Sequence, residues 1–212
     1  MSATGAANAL WFVTGGARSG KSRFAERLAA ATDREVVYIA TMEPLDAELV
    51  ERVAAHRASR PAAWATVEAP LDLVGALSAA APAACVLIDC LSLWVSNRLG
   101  PLGDAPSATA LAGLERALAV EVERLIEAVR RRETPTIVVT NEVGGGLVPA
   151  YPLGRAYRDL LGRVNQHASI AADRAWLLVA GRPLELPSAE LPAELSAELS
   201  SDQSAELSAD EP

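Results

Sequence analysis

The sequence predicts an α/β fold, with one domain whose mostly parallel sheet is flanked by helices. Along the chain, short apolar segments typical of buried strands alternate with longer amphipathic segments typical of helices. The first apolar segment, residues 10–13, leads into the spacing G-x-x-x-x-G-K-S, which in proteins joins a strand to a helix. The chain has 212 residues, 50% of them hydrophobic, which is enough for one well-buried core and makes a second full domain unexpected.

The G-x-x-x-x-G-K-S segment is a candidate phosphate-binding loop. Its glycines let the backbone curl so that N–H groups point inward, and the helix that follows adds the partial positive charge of its N-terminus. Lys21 is expected to reach the outer phosphates, and the Ser22 hydroxyl to ligate Mg²⁺. Lys21 is the single lysine among 19 basic residues, and a compact ammonium fits a phosphate site where a planar guanidinium does not. The candidate nucleotide-binding residues here are Gly15, Gly16, Ala17, Arg18, Ser19, Gly20, Lys21 and Ser22.

The other elements follow from apolar periodicity and from glycine and proline positions. Further strands are predicted at residues 35–40, 64–68, 84–89, 136–140 and 175–180, with 64–68 as a possible edge strand. Helices are predicted at residues 23–31, 44–60, 71–81, 91–99, 108–132 and 153–172.

The domain limits follow from composition. A folded domain is expected at residues 10–182, after a short disordered leader at residues 1–9 that lacks the basic start of a signal peptide. Residues 183–212 are expected to form a disordered tail, because an acidic repeat of Ala-Glu-Leu-Ser offers too little apolar surface to bury a core.

Charge and cysteine content narrow the class of protein. A net charge of −8 and 4% aromatic residues make a nucleic-acid or anionic-membrane partner unexpected. No apolar segment approaches the length of a membrane span, so we expect a cytoplasmic protein. Cys85 and Cys90 flank one predicted strand and should be too far apart to pair, so buried reduced thiols are expected.

Polar residues follow three of the predicted strands, at the sheet edge where ligands bind in parallel α/β folds. Thr41 and Met42 end the second strand and are candidate nucleotide contacts. Asp89 ends the most apolar strand. It is placed to hold Mg²⁺ through water, and the alternative is an N-cap for the helix that follows. Glu142, in a glycine-rich loop, is either a functional carboxylate or an ordinary loop acid.

One histidine lies among arginines. His56 is within one turn of Arg52, Arg57 and Arg60 on a predicted helix. Neighbouring cations disfavour the imidazolium, which leaves a neutral nitrogen free to attack phosphorus while the arginines bind phosphates. A plain surface histidine is the alternative, and for His167 a helix-surface or subunit-contact role is the default.

Five motifs together resemble one enzyme family. They are GGARSGKS, YIAT, D-x-E-x-x-x-R-V-x-x-H-R-x-x-R-P-x-x-W, TNEVGGGLVP and GRVNQ, in this order between residues 10 and 181. The set resembles the bifunctional adenosylcobinamide kinase/adenosylcobinamide-phosphate guanylyltransferases of cobalamin biosynthesis.

This resemblance implies a RecA-like P-loop domain that is cytoplasmic and often homotrimeric. It also implies two reactions: phosphorylation of the aminopropanol hydroxyl of adenosylcobinamide from GTP or ATP, then transfer of GMP from GTP to that phosphate. In the family the histidine of the H-R-x-x-R-P segment becomes guanylylated, and His56 matches it. Besides the loop, the implied nucleotide contacts are Ala40, Thr41, Met42, Arg57, Ala58, Ser59, Arg60, Glu68 and Asp89.

The chain departs from the family pattern in three places. Asp89 stands where relatives can carry glutamate, Ala55 stands where some have a second histidine, and the leader and tail have no family counterpart. Two other classes stay open: a P-loop kinase without nucleotidyl transfer, and a RecA-like nucleic-acid ATPase, which the acidic balance disfavours.

Overall fold

The structure, a computed structural model, describes residues 8–43 and 60–189. Its seven strands are β1 (Leu10–Gly15), β2 (Val36–Ala40), β3 (Ala65–Glu68), β4 (Cys85–Asp89), β5 (Thr136–Val139), β6 (Arg174–Val179) and β7 (Arg182–Leu186). Its described helices are α1 (Lys21–Ala30), α2 (Leu73–Ala79), α3 (Leu91–Leu99), α4 (Ala108–Arg130) and α5 (Pro152–Ile170), with a short 3₁₀ turn at Gly100–Leu102.

The strands form one sheet in the order β3-β2-β4-β5-β1-β6-β7. Neighbours from β3 to β6 pair in parallel, and β7 pairs antiparallel to β6. The predicted α/β class with a mostly parallel sheet is therefore confirmed, and β3 is the edge strand that its short pattern indicated. Because six strands run the same way, their carboxyl ends meet at one edge of the sheet.

Both faces of the sheet are buried, and alternate residues of each central strand serve opposite faces. One face packs under α2 to α5 and holds Phe12, Ile39, Ile88 and Val138. The other face packs under α1 and holds Val13, Tyr38, Leu87, Ile137 and Trp176. Strand residues at the centre of the sheet are almost completely shielded from solvent. The packed sheet therefore supports the loops at its edge.

Strand β7 is the main element that the sequence interpretation missed. Its pattern is mostly exposed, so it lacks the apolar signal on which strand prediction depends. It is held by antiparallel pairing to β6 and by the ion pair of Arg174 with Glu185 at 2.7 Å. The sheet thus extends to Leu186, beyond the limit at residue 182 that composition suggested.

The other predicted elements agree with the structure to within a few residues. The first strand continues through Gly15, and α1 begins at Lys21 rather than at residue 23, so the lysine lies in its first turn. Cys85 and Cys90 are free and buried, as expected. The predicted helix over residues 44–60 lies almost wholly outside the described residues, as do residues 1–7 and 190–212. Within the described ranges, no helix is both long and apolar enough to cross a membrane.

Candidate nucleotide-binding site

The carboxyl edge of the sheet brings together most of the described site residues predicted from the sequence. Ala40, Glu68 and Asp89 lie side by side, because Ala40 pairs in register with both Glu68 of β3 and Asp89 of β4. One strand separates β4 from β1, whose end carries the glycine-rich loop. Parallel register alone therefore collects residues that are far apart in the sequence.

The glycines of the loop are required by its geometry at two positions. Gly15 has a φ of 154°, and a Cβ there would lie 2.6 Å from the carbonyl oxygen of Leu178. Gly20 has a φ of 92°, and a Cβ there would meet the Cα of Gly181 at 3.3 Å. A side chain at either position would force the loop away from the end of β6.

The loop is anchored at its far side and opens into a helix. The backbone N–H of Gly181 donates to the carbonyl of Ser19 at 2.8 Å. The N–H of Ser19 donates in turn to the carbonyl of Gly16 at 3.2 Å. Helix α1 then begins at Lys21 with Gly20 as its N-cap and no side chain capping it. Its first-turn N–H groups are therefore left for an anion, which is the arrangement that binds phosphate.

Lys21 occupies the centre of this arrangement. Its ammonium donates to the carbonyl of Gly16 at 3.1 Å, so the side chain curls back over the loop. Burial lowers the pKa of Lys21, while the nearby Cys90 and Asp89 act in the opposite direction. The lysine is thus within electrostatic reach of the acid at the end of β4. Ser22, next in the helix, is half-buried.

Asp89 is held by a tyrosine of the neighbouring strand. The hydroxyl of Tyr38 donates to Oδ2 of Asp89 at 2.8 Å. Burial and then the adjacent Asp89 raise the pKa of Tyr38, so the phenol keeps its proton and stays a donor. The alternative role of Asp89 as a helix N-cap is wrong, because the N-cap of α3 is Cys90 and no side chain caps that helix.

Arg60 lies against the other side of this tyrosine. Its guanidinium stacks on the Tyr38 ring, 3.3 Å from the ring centroid, and its Nε is 3.9 Å from Oε1 of Glu26 on α1. The Arg60 side chain is 9% exposed. Arg60, at the end of the arginine-rich segment, is therefore anchored against Tyr38 and α1. His56, Arg57, Ala58 and Ser59 lie outside the described residues.

Thr41 links two elements of the fold at this edge of the sheet. Its hydroxyl donates to the Cys90 carbonyl at 2.8 Å and accepts from the Cys90 N–H at 2.7 Å. The amide of Asn97 donates to the Thr41 carbonyl at 2.8 Å. Thr41 is fully buried, so its side chain ties β2 to the start of α3. Ala40 and Met42, on either side, are partly exposed.

Glu68, Glu142 and His167 lie in three different parts of the structure. Glu68 is exposed at the end of β3. Glu142 lies in the loop after β5, beside the phosphate loop, because its N–H donates to the Gly15 carbonyl at 3.1 Å. His167 is exposed in the last turns of α5, in a small recess against α4 that includes Glu115 and Arg163, apart from the residues just described.

Tyr38 and Asn97 were missed by sequence reasoning. The signal for Tyr38 was available: it is the one residue with a polar tip in an otherwise apolar strand, two residues before the sheet edge. Asn97 gave no comparable signal. Its amide donates to the carbonyls of Thr41 and Pro70, which lie 56 and 27 positions away in the sequence. No local pattern indicates contacts over such separations.

Comparison with known proteins gives the family. The family model described as "Cobinamide kinase / cobinamide phosphate guanyltransferase" matches residues 11–186. The bifunctional adenosylcobalamin biosynthesis protein CobU of Salmonella typhimurium is 44% identical over 172 residues, which are 80% of this chain and 94% of that protein. CobP of Pseudomonas aeruginosa, with the same description, is 43% identical over 180 residues, 84% of this chain and 98% of its own.

Another bacterial relative and a solved structure are also similar to this chain. CobU of Escherichia coli is 42% identical over 172 residues, 80% of this chain and 94% of its own. The crystal structure of the RadB recombinase covers 82% of this chain and 75% of its own at a TM-score of 0.46 and 15% identity. From the family match and the curated relatives, this chain belongs to the cobinamide kinase/cobinamide phosphate guanyltransferase family.

Proposed function

We propose that this chain first phosphorylates the aminopropanol hydroxyl of adenosylcobinamide and then attaches GMP to that phosphate through a guanylylated His56. The observation that best supports this proposal is the position of Arg60. It is the second arginine of the H-R-x-x-R-P segment and stacks on Tyr38, which in turn donates a hydrogen bond to Asp89, an acid that acts electrostatically on Lys21. The described end of the segment proposed for guanylyl transfer is thus linked to the residues proposed for phosphoryl transfer.

In the kinase step, the phosphate loop and Lys21 bind the triphosphate of GTP or ATP. Backbone N–H groups and the ammonium neutralise the charge that develops on the transferred phosphoryl group, which is the main catalytic effect in such reactions. The acceptor oxygen forms a bond to the γ-phosphorus as the bond from that phosphorus to the β–γ bridging oxygen breaks, and the nucleoside diphosphate leaves.

Ser22 and Asp89 are the residues that would hold Mg²⁺ in this step. Their donor types fit, because a hydroxyl and a carboxylate are hard oxygen ligands, and Asp89 retains one oxygen beyond that bonded to Tyr38. The described residues contain no group of three or more His, Cys, Asp or Glu side chains able to hold a metal. When bound, Mg²⁺ supplies charge neutralisation at the phosphate oxygens.

In the transferase step, a neutral nitrogen of His56 attacks the α-phosphorus of GTP and pyrophosphate leaves. A phosphate oxygen of adenosylcobinamide phosphate then attacks the same phosphorus, the P–N bond breaks, and adenosylcobinamide-GDP forms. Arg57 and Arg60 would stabilise charge in both steps. In a direct transfer, the anionic phosphate of one substrate would attack the anionic triphosphate of the other. In the two-step route, a neutral imidazole makes the first attack on GTP.

The experiment that tests this proposal is product analysis with purified full-length protein, adenosylcobinamide and Mg²⁺. We expect adenosylcobinamide phosphate as an intermediate and adenosylcobinamide-GDP with pyrophosphate as final products when GTP is present. Phosphorylation that never proceeds to adenosylcobinamide-GDP would show a plain kinase instead. Mass measurement in solution tests the accompanying proposal of a homo-oligomer, for which the resemblance implies a trimer, and fractionation of cells tests a cytoplasmic location.

A further inference from the structure

A cavity of about 550 Å³ lies beside the phosphate loop and extends from it to residues that have no assigned contact with the nucleotide. Its walls are residues 16–19 of the phosphate loop, residues 142, 143, 145 and 146 of the loop after β5, and residues 177–180 at the end of β6. The cavity thus lies between the ends of β5 and β6, and its lining does not include Asp89 of β4 or Tyr38 of β2. Its volume is in the range that binds small molecules.

We propose that this cavity is the acceptor site of the kinase, that it receives the hydroxyl-bearing arm of adenosylcobinamide, and that Glu142 is the general base. This inference rests on the proposed function, because it locates the binding site of the acceptor, adenosylcobinamide. The kinase needs an acceptor hydroxyl next to the phosphate loop, and the cavity shares residues 16–19 with that loop.

The position of Glu142 is fixed by the backbone. Its N–H donates to the carbonyl of Gly15, the residue at which β1 enters the phosphate loop. Its Oε1 accepts a short hydrogen bond from the N–H of Gly144, which holds the side chain over its own loop. A second carboxylate oxygen remains for a substrate hydroxyl. Glu142 is thereby attached to the same loop that binds the phosphoryl donor.

The lining of the cavity carries one acid, Glu142, and one arginine, Arg18, among mainly apolar and glycine residues. The carboxylate can accept a hydrogen bond from an alcohol. The rest of the wall includes Val143, Leu177, Leu178 and Val179. On the same loop, beyond the cavity, Leu147 is 98% exposed and Val148 is 66% exposed. Apolar surface of this kind suits a bulky corrinoid whose arm alone enters the cavity.

In this step one P–O bond forms, one P–O bond breaks and one proton moves. The acceptor oxygen forms its bond to the γ-phosphorus, the bond from that phosphorus to the β–γ bridging oxygen breaks, and the hydroxyl proton passes to the Glu142 carboxylate. The proton is released to solvent when product leaves, because Glu142 is exposed. No other reactant is needed.

The first test is Glu142→Gln in the full-length protein, with Glu123→Gln as the matched control on the exposed face of α4. We expect the kinase kcat of Glu142→Gln to fall by about 100-fold or more. The Kd for a fluorescent GTP analogue and protein labelling from α-labelled GTP should stay within about 3-fold of wild type, since neither requires the acceptor base. The control should match wild type. A kinase kcat for Glu142→Gln within about 3-fold of wild type would overturn the role of Glu142.

The second test fills the cavity. Val179 lines it and is 59% exposed, so Val179→Trp should fold, and Val120→Trp, at a position 45% exposed on α4, is its control. We expect Val179→Trp to raise the KM for adenosylcobinamide about 10-fold or more while the KM for the nucleotide is unchanged. An unchanged KM for adenosylcobinamide, with or without altered oligomer mass, would show that the acceptor binds elsewhere. If wild-type protein makes no adenosylcobinamide phosphate, the proposed function itself fails, independently of these variants.

Discussion

The hydroxyl of Tyr38 lies 2.8 Å from Oδ2 of Asp89 and donates a hydrogen bond to it across adjacent parallel strands. The ring of the same tyrosine carries the guanidinium of Arg60 on its face. One side chain therefore contacts both the acid proposed for Mg²⁺ and the second arginine of the histidine-containing segment. In the proposed mechanism, residues for both reactions would share this edge of the sheet.

Tyr38→Phe removes this hydrogen bond while the stacked ring is kept. We expect the Mg²⁺ concentration for half-maximal kinase activity to rise about 3- to 10-fold, because Asp89 is no longer oriented, and stability to fall by about 1 kcal/mol. A Mg²⁺ titration of kinase rate measures the effect. Tyr157→Phe is the control, since it also loses one hydroxyl hydrogen bond, but to the Ser92 carbonyl rather than to Asp89. An equal shift in both variants would contradict a specific role for Tyr38.

Lys21→Ala should abolish phosphorylation of adenosylcobinamide, because the ammonium is the charge that the loop places on the outer phosphates. Lys21→Arg should also be severely impaired, since the ammonium curls back to the Gly16 carbonyl at 3.1 Å and a guanidinium is bulkier than that space. Steady-state kinase rates measure both. Turnover of Lys21→Arg near the wild-type rate would contradict the argument from the single lysine.

Arg132 should be a major contributor to stability. It is 5% exposed, and its guanidinium donates to the carbonyls of Leu77, Ala80, Ala81 and Ala84 at 2.7 to 3.3 Å. Arg132→Ala leaves these buried acceptors without their donor, so we expect a loss of about 3 kcal/mol or more in the free energy of unfolding. Denaturant unfolding measures it. The neighbouring Arg131 is exposed, and a similar loss in Arg131→Ala would show that the effect is not due to these hydrogen bonds.

The buried thiols should make stability fall at high pH. Burial raises the pKa of Cys85 to about 11, from an ordinary value of 9.0. Between these two values the unfolded chain loses the thiol proton and the folded chain keeps it, so stability declines as pH rises, by up to about 1.4 kcal/mol per unit for one thiol. Unfolding from pH 8 to 10.5 should therefore show a smaller decline in Cys85→Ala. Val86→Ala changes a buried neighbour on β4 and is the control. It should be less stable, yet its stability should fall with pH as steeply as that of the wild type. Equal pH slopes of stability in wild type, Cys85→Ala and Val86→Ala would contradict the prediction.

The sequence predicted the fold well where apolar periodicity was strong. The strands ending in Gly15, Ala40 and Asp89 are buried on both faces, and such segments have a clear apolar pattern. Strand β7 was not predictable in this way, because it is exposed and held by pairing to β6 and by ion pairing. Its residues do not have the composition of a core element.

The site was predicted in part for a similar reason. The phosphate loop is contiguous, so its spacing is visible in the sequence, and parallel topology then indicated Asp89 and Glu142 at the same edge. The hydrogen bond from Tyr38 to Asp89 joins residues 51 positions apart, and the Thr41 contacts with Cys90 join residues 49 positions apart. Such pairings depend on register between strands, which no local pattern specifies.

In the proposed mechanism, His56 carries GMP from GTP to adenosylcobinamide phosphate. Full-length protein should be incubated with GTP labelled at the α-phosphorus, denatured, and treated with acid or alkali. We predict label on wild-type protein that is lost in acid and survives alkali, as a phosphoramidate does, and no label on His56→Asn, which should retain part of the kinase activity. His167→Asn is the control and should be labelled like wild type. Acid-labile labelling of His56→Asn at the wild-type level would contradict the account.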